Sequence, residues 1–161
     1  MMRLAVVSVA LAAMTVAVVV TPSLAGETSG AWFDPDKCQM CAPIKAEPGL
    51  FEHVHWTDLP IATGMITVTK VDPGYEAAYQ RAGAKQMDVV QRRSKGESMY
   101  LCGHCTSLSG LLKSGAKYDP LQVSDRYLAA VTATDPALIQ KIRAHAERTD
   151  AEMKKMMTAK N

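Results

Sequence analysis

The strongest constraint on this chain is a dithiol that occurs twice. All four cysteines of the 161 residues fall in two Cys-x-x-Cys turns, Cys38-Gln39-Met40-Cys41 and Cys102-Gly103-His104-Cys105. The chain after each turn has a similar layout. Asp72-Pro73 comes 34 residues after Cys38, and Asp135-Pro136 comes 33 after Cys102. A β-branched run precedes each Asp-Pro, Met65 to Val71 and Leu128 to Thr134, with Val68-Thr69 matching Val131-Thr132. The spacing reads as a tandem duplication, residues 38–95 and 96–158, with one dithiol per copy.

Strand and helix signals fill in each copy. Phe51 to Asp58 carries aromatic and β-branched residues and reads as a strand, Leu59 to Gly64 as a turn, and Met65 to Val71 as a second strand. Asp72 fits an N-cap and Pro73 a first helical residue. Tyr75, Ala78, Tyr79, Ala82, Gln86 and Val90 then recur at helical spacing to about Arg93. In the second copy, Thr106 to Ser114 reads as a short helix closed by Gly115, and Lys117 to Val123 as a strand or a loop broken at Pro120. Tyr127 to Thr134 is a strand. Asp135-Pro136 opens a helix to Met157 with Leu138, Ile139, Ile142, Ala146, Met153 and Met157 as its stripe. One hairpin with one helix cannot close a core. Two copies together predict an α+β fold, a four-stranded antiparallel sheet with two main helices on one face.

The first 25 residues stand apart. A basic start at Arg3, an uncharged apolar run of 17 residues from Leu4 to Val20, and Ser23-Leu24-Ala25 have the form of a cleaved signal peptide. The expectation is an exported protein, periplasmic or secreted, with no membrane attachment after signal removal. Residues 26–37 read as a flexible arm anchored at Trp32-Phe33, and 38–161 as one domain made of the two repeats. Without Arg3, the 18 Lys and Arg fall to 17 against 16 Asp and Glu. No basic stripe emerges, so nucleic acid is not an expected partner.

Two turns of two thiolates can supply the tetrahedral sulfur shell of one metal ion. Cys38, Cys41, Cys102 and Cys105 are therefore the candidate ligands, with zinc first and copper second, since Met40 lies inside the first turn and thioether suits Cu(I). His53 and His55, two apart on a strand and so on one face, and His104 are further candidates. His145 reads as structural. Haem attachment needs His directly after the second cysteine; Ala42 and Thr106 stand there instead.

Cys102-Gly103-His104-Cys105 also resembles, residue for residue, the active-site tetrapeptide of the protein disulfide isomerases. That resemblance covers four residues and their place at the start of a helix, where Cys102 would have a lowered pKa. It implies thiol–disulfide exchange at Cys102 and Cys105. Pro136 departs from the family's pattern, because it starts a helix and does not precede a strand as the family's cis-proline does. A third reading is a disulfide-stabilised interaction module, since an exported chain meets oxidants. Its simplest form is a homodimer, or a complex with another protein, through the sheet face that the helices leave open. No serine-hydrolase, phosphate-loop or zincin motif is present, which favours a protein that binds over one that catalyses.

Overall fold

The computed structural model describes residues 30–123 and 126–158. The expected signal peptide, residues 26–29 of the arm and the side chain of Met157 lie outside the described residues. The elements in order are α1 (Ala42–Ala46), a 3-10 turn (Leu50–Glu52), β1 (Val54–Ile61), β2 (Gly64–Val71), α2 (Glu76–Ser94), α3 (Gly103–Lys113), β3 (Lys117–Val123), β4 (Arg126–Thr132) and α4 (Pro136–Thr158). The strands form one antiparallel sheet in the order β1-β2-β4-β3, so the class is α+β. No helix among the described residues is long and apolar enough to cross a membrane.

The sheet order explains two prolines. Pro60 lies within β1 and Pro120 within β3, and both strands are edges. A proline lacks the N–H that a central strand needs on both sides, but an edge strand can turn that side to solvent. Leu59 to Ile61 therefore extends the first strand where a turn was expected, and Lys117 to Val123 is a strand despite Pro120. The β1–β2 turn shrinks to Ala62-Thr63. The aromatic Phe51 falls instead in the 3-10 turn, which Gly49 enters with φ 71°.

Register then builds the core. Val54, Trp56 and Asp58 of β1 face Val71, Thr69 and Thr67 of β2, while Met65, Thr67 and Thr69 face Val131, Ala129 and Tyr127 of β4. Since side chains alternate along a strand, these residues share one sheet face. Two apolar clusters sit on it. Met65 and Val131 pack with Leu111 of α3 and with Leu138, Ile142 and Ala146 of α4. Leu50, Val54 and Val71 pack with Ala82 of α2. Met65, Val131, Ile142 and Leu50 are fully buried; each such side chain contributes about 1.5–3 kcal/mol relative to exposure.

The long helices differ from expectation at two places. In α2 the buried positions are Ala82 and Val89, while Val90 is exposed, and Gln86 turns its amide to the Met40 carbonyl at 2.7 Å. Asp72 does not cap α2. That helix starts only at Glu76, because Gly74 interrupts at φ 92° and Tyr75 takes the N-cap. Asp72 instead accepts from His53 and His55 at 3.0 and 3.2 Å. In α4, Asp135 does cap: its two oxygens accept the Ala137 and Leu138 N–H groups at 3.3 and 3.2 Å.

Candidate metal centre

Each dithiol sits where a loop becomes a helix. Cys41 is the N-cap of α1, with Pro43 in its first turn, and the Cys41 and Ala42 N–H groups bond back to the Cys38 carbonyl at 3.0 and 2.9 Å. Cys102 is the N-cap of α3, and the Thr106 N–H reaches its carbonyl at 2.9 Å. α3 thus starts at Gly103 and takes in Cys105, whereas the sequence places its start at Thr106. The backbone then ties the two turns together. Gln39 N–H donates to the Tyr100 carbonyl at 3.1 Å, Gly103 N–H to Ala31 at 3.1 Å and His104 N–H to Trp32 at 2.9 Å. Trp32 is buried, so the segment from Gly30 is fixed against the second turn.

The four cysteines lie close together. Their Sγ atoms are all within 4.8 Å of one another, with Cys41 3.8 Å from Cys105 and 4.0 Å from Cys102. No disulfide joins them; a bond would need about 2.05 Å. A tetrahedral ion with sulfur at about 2.3 Å spaces its ligands about 3.8 Å apart. The cluster is therefore one that could hold a metal ion. Cys38 and Cys102 are fully buried, while Cys41 and Cys105 are half-buried.

Electrostatics agree with this geometry. Four thiols in contact share protons. Hydrogen bonds from Cys102, Cys105 and Cys41 hold the Cys38 thiol well below its ordinary value, and the bond with Cys105 leads in lowering Cys102 to about 7. Cys41 and Cys105 are pushed up, above all by Cys102. Two of the thiols ionise readily and the other two resist; a divalent cation among them would favour the thiolate at all four.

The three further histidines go elsewhere. His53 and His55 share Asp72, and His53 stacks on Tyr75 with ring centroids 4.0 Å apart. The His104 imidazole packs among Trp32, Phe33 and His145, with centroids 6.0, 5.4 and 4.8 Å away. It belongs to a second group, in which the ligand atoms of Asp58, His104 and His145 lie within 4.8 Å of one another. No local signal marks that group, since its members come from β1, α3 and α4. Compared with protein-family models, with curated proteins and with solved structures, the chain gives no match.

Proposed function

We propose that this is an exported, non-enzymatic metal-binding protein whose two Cys-x-x-Cys turns hold one zinc ion. The observation that carries the reading is the convergence of four free sulfurs within 4.8 Å of one another, with Cys41 at 4.0 and 3.8 Å from Cys102 and Cys105, 61 and 64 residues away. Four-sulfur tetrahedral sites suit zinc, and copper is the softer alternative. Four protein ligands leave no open position, the mark of a site that retains its ion. Its role is to lock the segment from Ala31 to Cys41 onto α3. Export, inferred from residues 1–25, gives the ion a second role, since thiolates bound to zinc resist the oxidation that free thiols would meet outside the cytoplasm. The duplication read from the two Asp-Pro spacings supplies a reason for the turns to meet, as equivalent turns around a pseudo-two-fold axis.

Exchange chemistry at Cys102 is disfavoured because its sulfur is fully buried and a partner disulfide must reach the attacking thiolate. Protein purified without an affinity tag for metals should carry about one zinc per chain and lose thermal stability on chelation. Metal-free protein that binds neither Zn nor Cu(I) when fully reduced would end this reading.

A second reading concerns the opposite face of the sheet. Leu59, Leu121 and Val123 are 48–60% exposed there beside half-buried Ile66, Val68 and Leu128. A second copy packed sheet to sheet would cover them. Light scattering should then give a dimer that Leu121→Asp dissociates, and a concentrated monomer would remove the idea.

A further inference from the structure

Beside the sulfur cluster lies a group of polar atoms for which a single zinc ion on the cysteines has no use. Asp58 and His145 are 6% and 3% exposed, and Asp58 Oδ2, His145 Nε2 and Trp32 Nε1 are all buried without a hydrogen-bond partner among the described residues. A buried polar group left unpaired costs about 1–3 kcal/mol. Three around one imidazole, that of His104, call for a common cause.

The surroundings of each atom narrow the choice. His145 Nδ1 pairs with the Ser107 hydroxyl at 2.9 Å, and Thr149 bonds the His145 carbonyl at 2.8 Å. An Nδ1–H donated to Ser107 leaves Nε2 with a lone pair and nothing to accept. This is how metal-bound histidines are held, with one nitrogen anchored and the other presented. Asp58 is anchored likewise: Oδ1 accepts from Thr67 at 2.6 Å and the Thr149 hydroxyl lies beside the carboxyl, while Oδ2 makes no hydrogen bond of its own among the described residues.

We propose that Asp58, His104 and His145 form a second metal site, for a divalent transition-metal ion, distinct from the sulfur cluster. Two histidines and one carboxylate are a common ligand set for Zn, Fe(II) and their neighbours. The ligand atoms lie within 4.8 Å of one another. A tetrahedral ion at about 2.1 Å spaces its ligands about 3.4 Å apart, so modest side-chain rotation closes the set. Three protein ligands leave a position open, and Asp58 and His104 line a cavity of about 450 Å³ with Trp56, Tyr79, Tyr118 and Tyr127. Trp32 Nε1–H cannot ligate a cation, but it can donate to a water or anion completing the shell. Charge supports the pairing of sites. Four thiolates with one divalent ion carry a formal −2, and an Asp-His-His site with its own ion carries +1, offsetting part of it through His104, which lies between Cys102 and Cys105.

This second site does not depend on what fills the sulfur cluster. The test is a titration of reduced full-length protein with Co(II), monitored optically, followed by elemental analysis with Zn. Two ions per chain are expected, one with sulfur-to-cobalt charge-transfer bands and one with ligand-field bands alone. Asp58→Asn and His145→Gln should each reduce the count from two to one and leave the charge-transfer bands intact. Asp58→Asn removes a buried carboxyl, so it should fold at least as well as the parent without metal. A parent that binds a single, sulfur-ligated ion overturns the proposal, as do variants that still bind two. If the sulfur cluster binds nothing, the ligand-field band should remain alone, which separates failure of the zinc reading from failure of this one.

Discussion

In the first half the helix behind the dithiol starts after its second cysteine, with Cys41 at the N-cap of α1; in the second it starts after its first, with Cys102 at the N-cap of α3. α1 runs five residues and α3 eleven. The cause is local. Glu47 precedes Pro48, which drives it out of helical backbone to ψ 124°, while the second dithiol runs into Leu108, Leu111 and Leu112 with no proline before Pro120. The first half compensates with polar ties. Glu47, nearly buried, is clasped by Arg81 and Lys85 at 2.7 and 2.9 Å, and both cations hold its carboxyl below the usual carboxylate range. The second half rests on the apolar cluster of Leu111, Leu138 and Ile142. The chain after one dithiol is thus held by ion pairs, and the chain after the other by packing.

Removing sulfurs should have the largest effect on both halves. If one ion links both turns, Cys38→Ser/Cys41→Ser and Cys102→Ser/Cys105→Ser each lose it, along with several kcal/mol of binding-coupled stability. Limited proteolysis should release the chain up to about Pro48 in both. Only the second variant should also loosen α3, measured as faster amide exchange between Gly103 and Lys113. Release confined to the first variant would mean that the dithiols act independently, contrary to the single-ion reading.

The seam between the halves is the next target. Gly64 starts β2 opposite Thr132 of β4 with φ 151°, and a Cβ there would meet the Val131 carbonyl oxygen at 2.0 Å. Backbone cannot yield as a flexible side chain does. Gly64→Ala should cost about 3 kcal/mol, from strain and a parted β2–β4 pair, and lower the melting temperature by about 10 °C. Gly83, inside α2 with open space around it, is the control: Gly83→Ala should raise stability by about 0.5–1 kcal/mol. A mild effect at Gly64 would show that the two hairpins are not held by this close approach.

Legibility in the sequence tracks the range of the interaction. The sulfur cluster was legible because each pair lies on one turn, and the strands because β-branched runs repeat. The edge positions of Pro60 and Pro120 were not, since whether a proline is tolerated depends on which strands neighbour it. Asp58 and His145 were invisible for the same reason: β1 and α4 meet only through the folded sheet, and His145 sits in an otherwise apolar helical stripe. Val89, not Val90, is buried with Ala82 in α2 because seven residues return a helix to the same face while eight overshoot it.

The smallest expected effect separates the two Asp-Pro pairs. Asp135 holds two N–H groups at the start of α4, the longest helix, and a cap of this kind contributes about 1 kcal/mol. Asp135→Ala should therefore lower the melting temperature by about 3–5 °C. Asp72 caps nothing; it sits outside α2 and pairs with His53 and His55, which hold its carboxyl below the ordinary value. A depressed carboxyl contributes above its unfolded value and loses that contribution as the pH falls through the folded one. Asp72→Ala should thus leave the melting temperature near parental at pH 7, and any difference should begin to shrink as the pH falls below about 4 and vanish once Asp72 is protonated in the folded protein. Equal losses at Asp72 and Asp135 would mean that the same dipeptide does the same work in both halves. The physical reason to expect otherwise is one residue: Gly74 follows the first proline and breaks the helix start, where Ala137 follows the second and continues it.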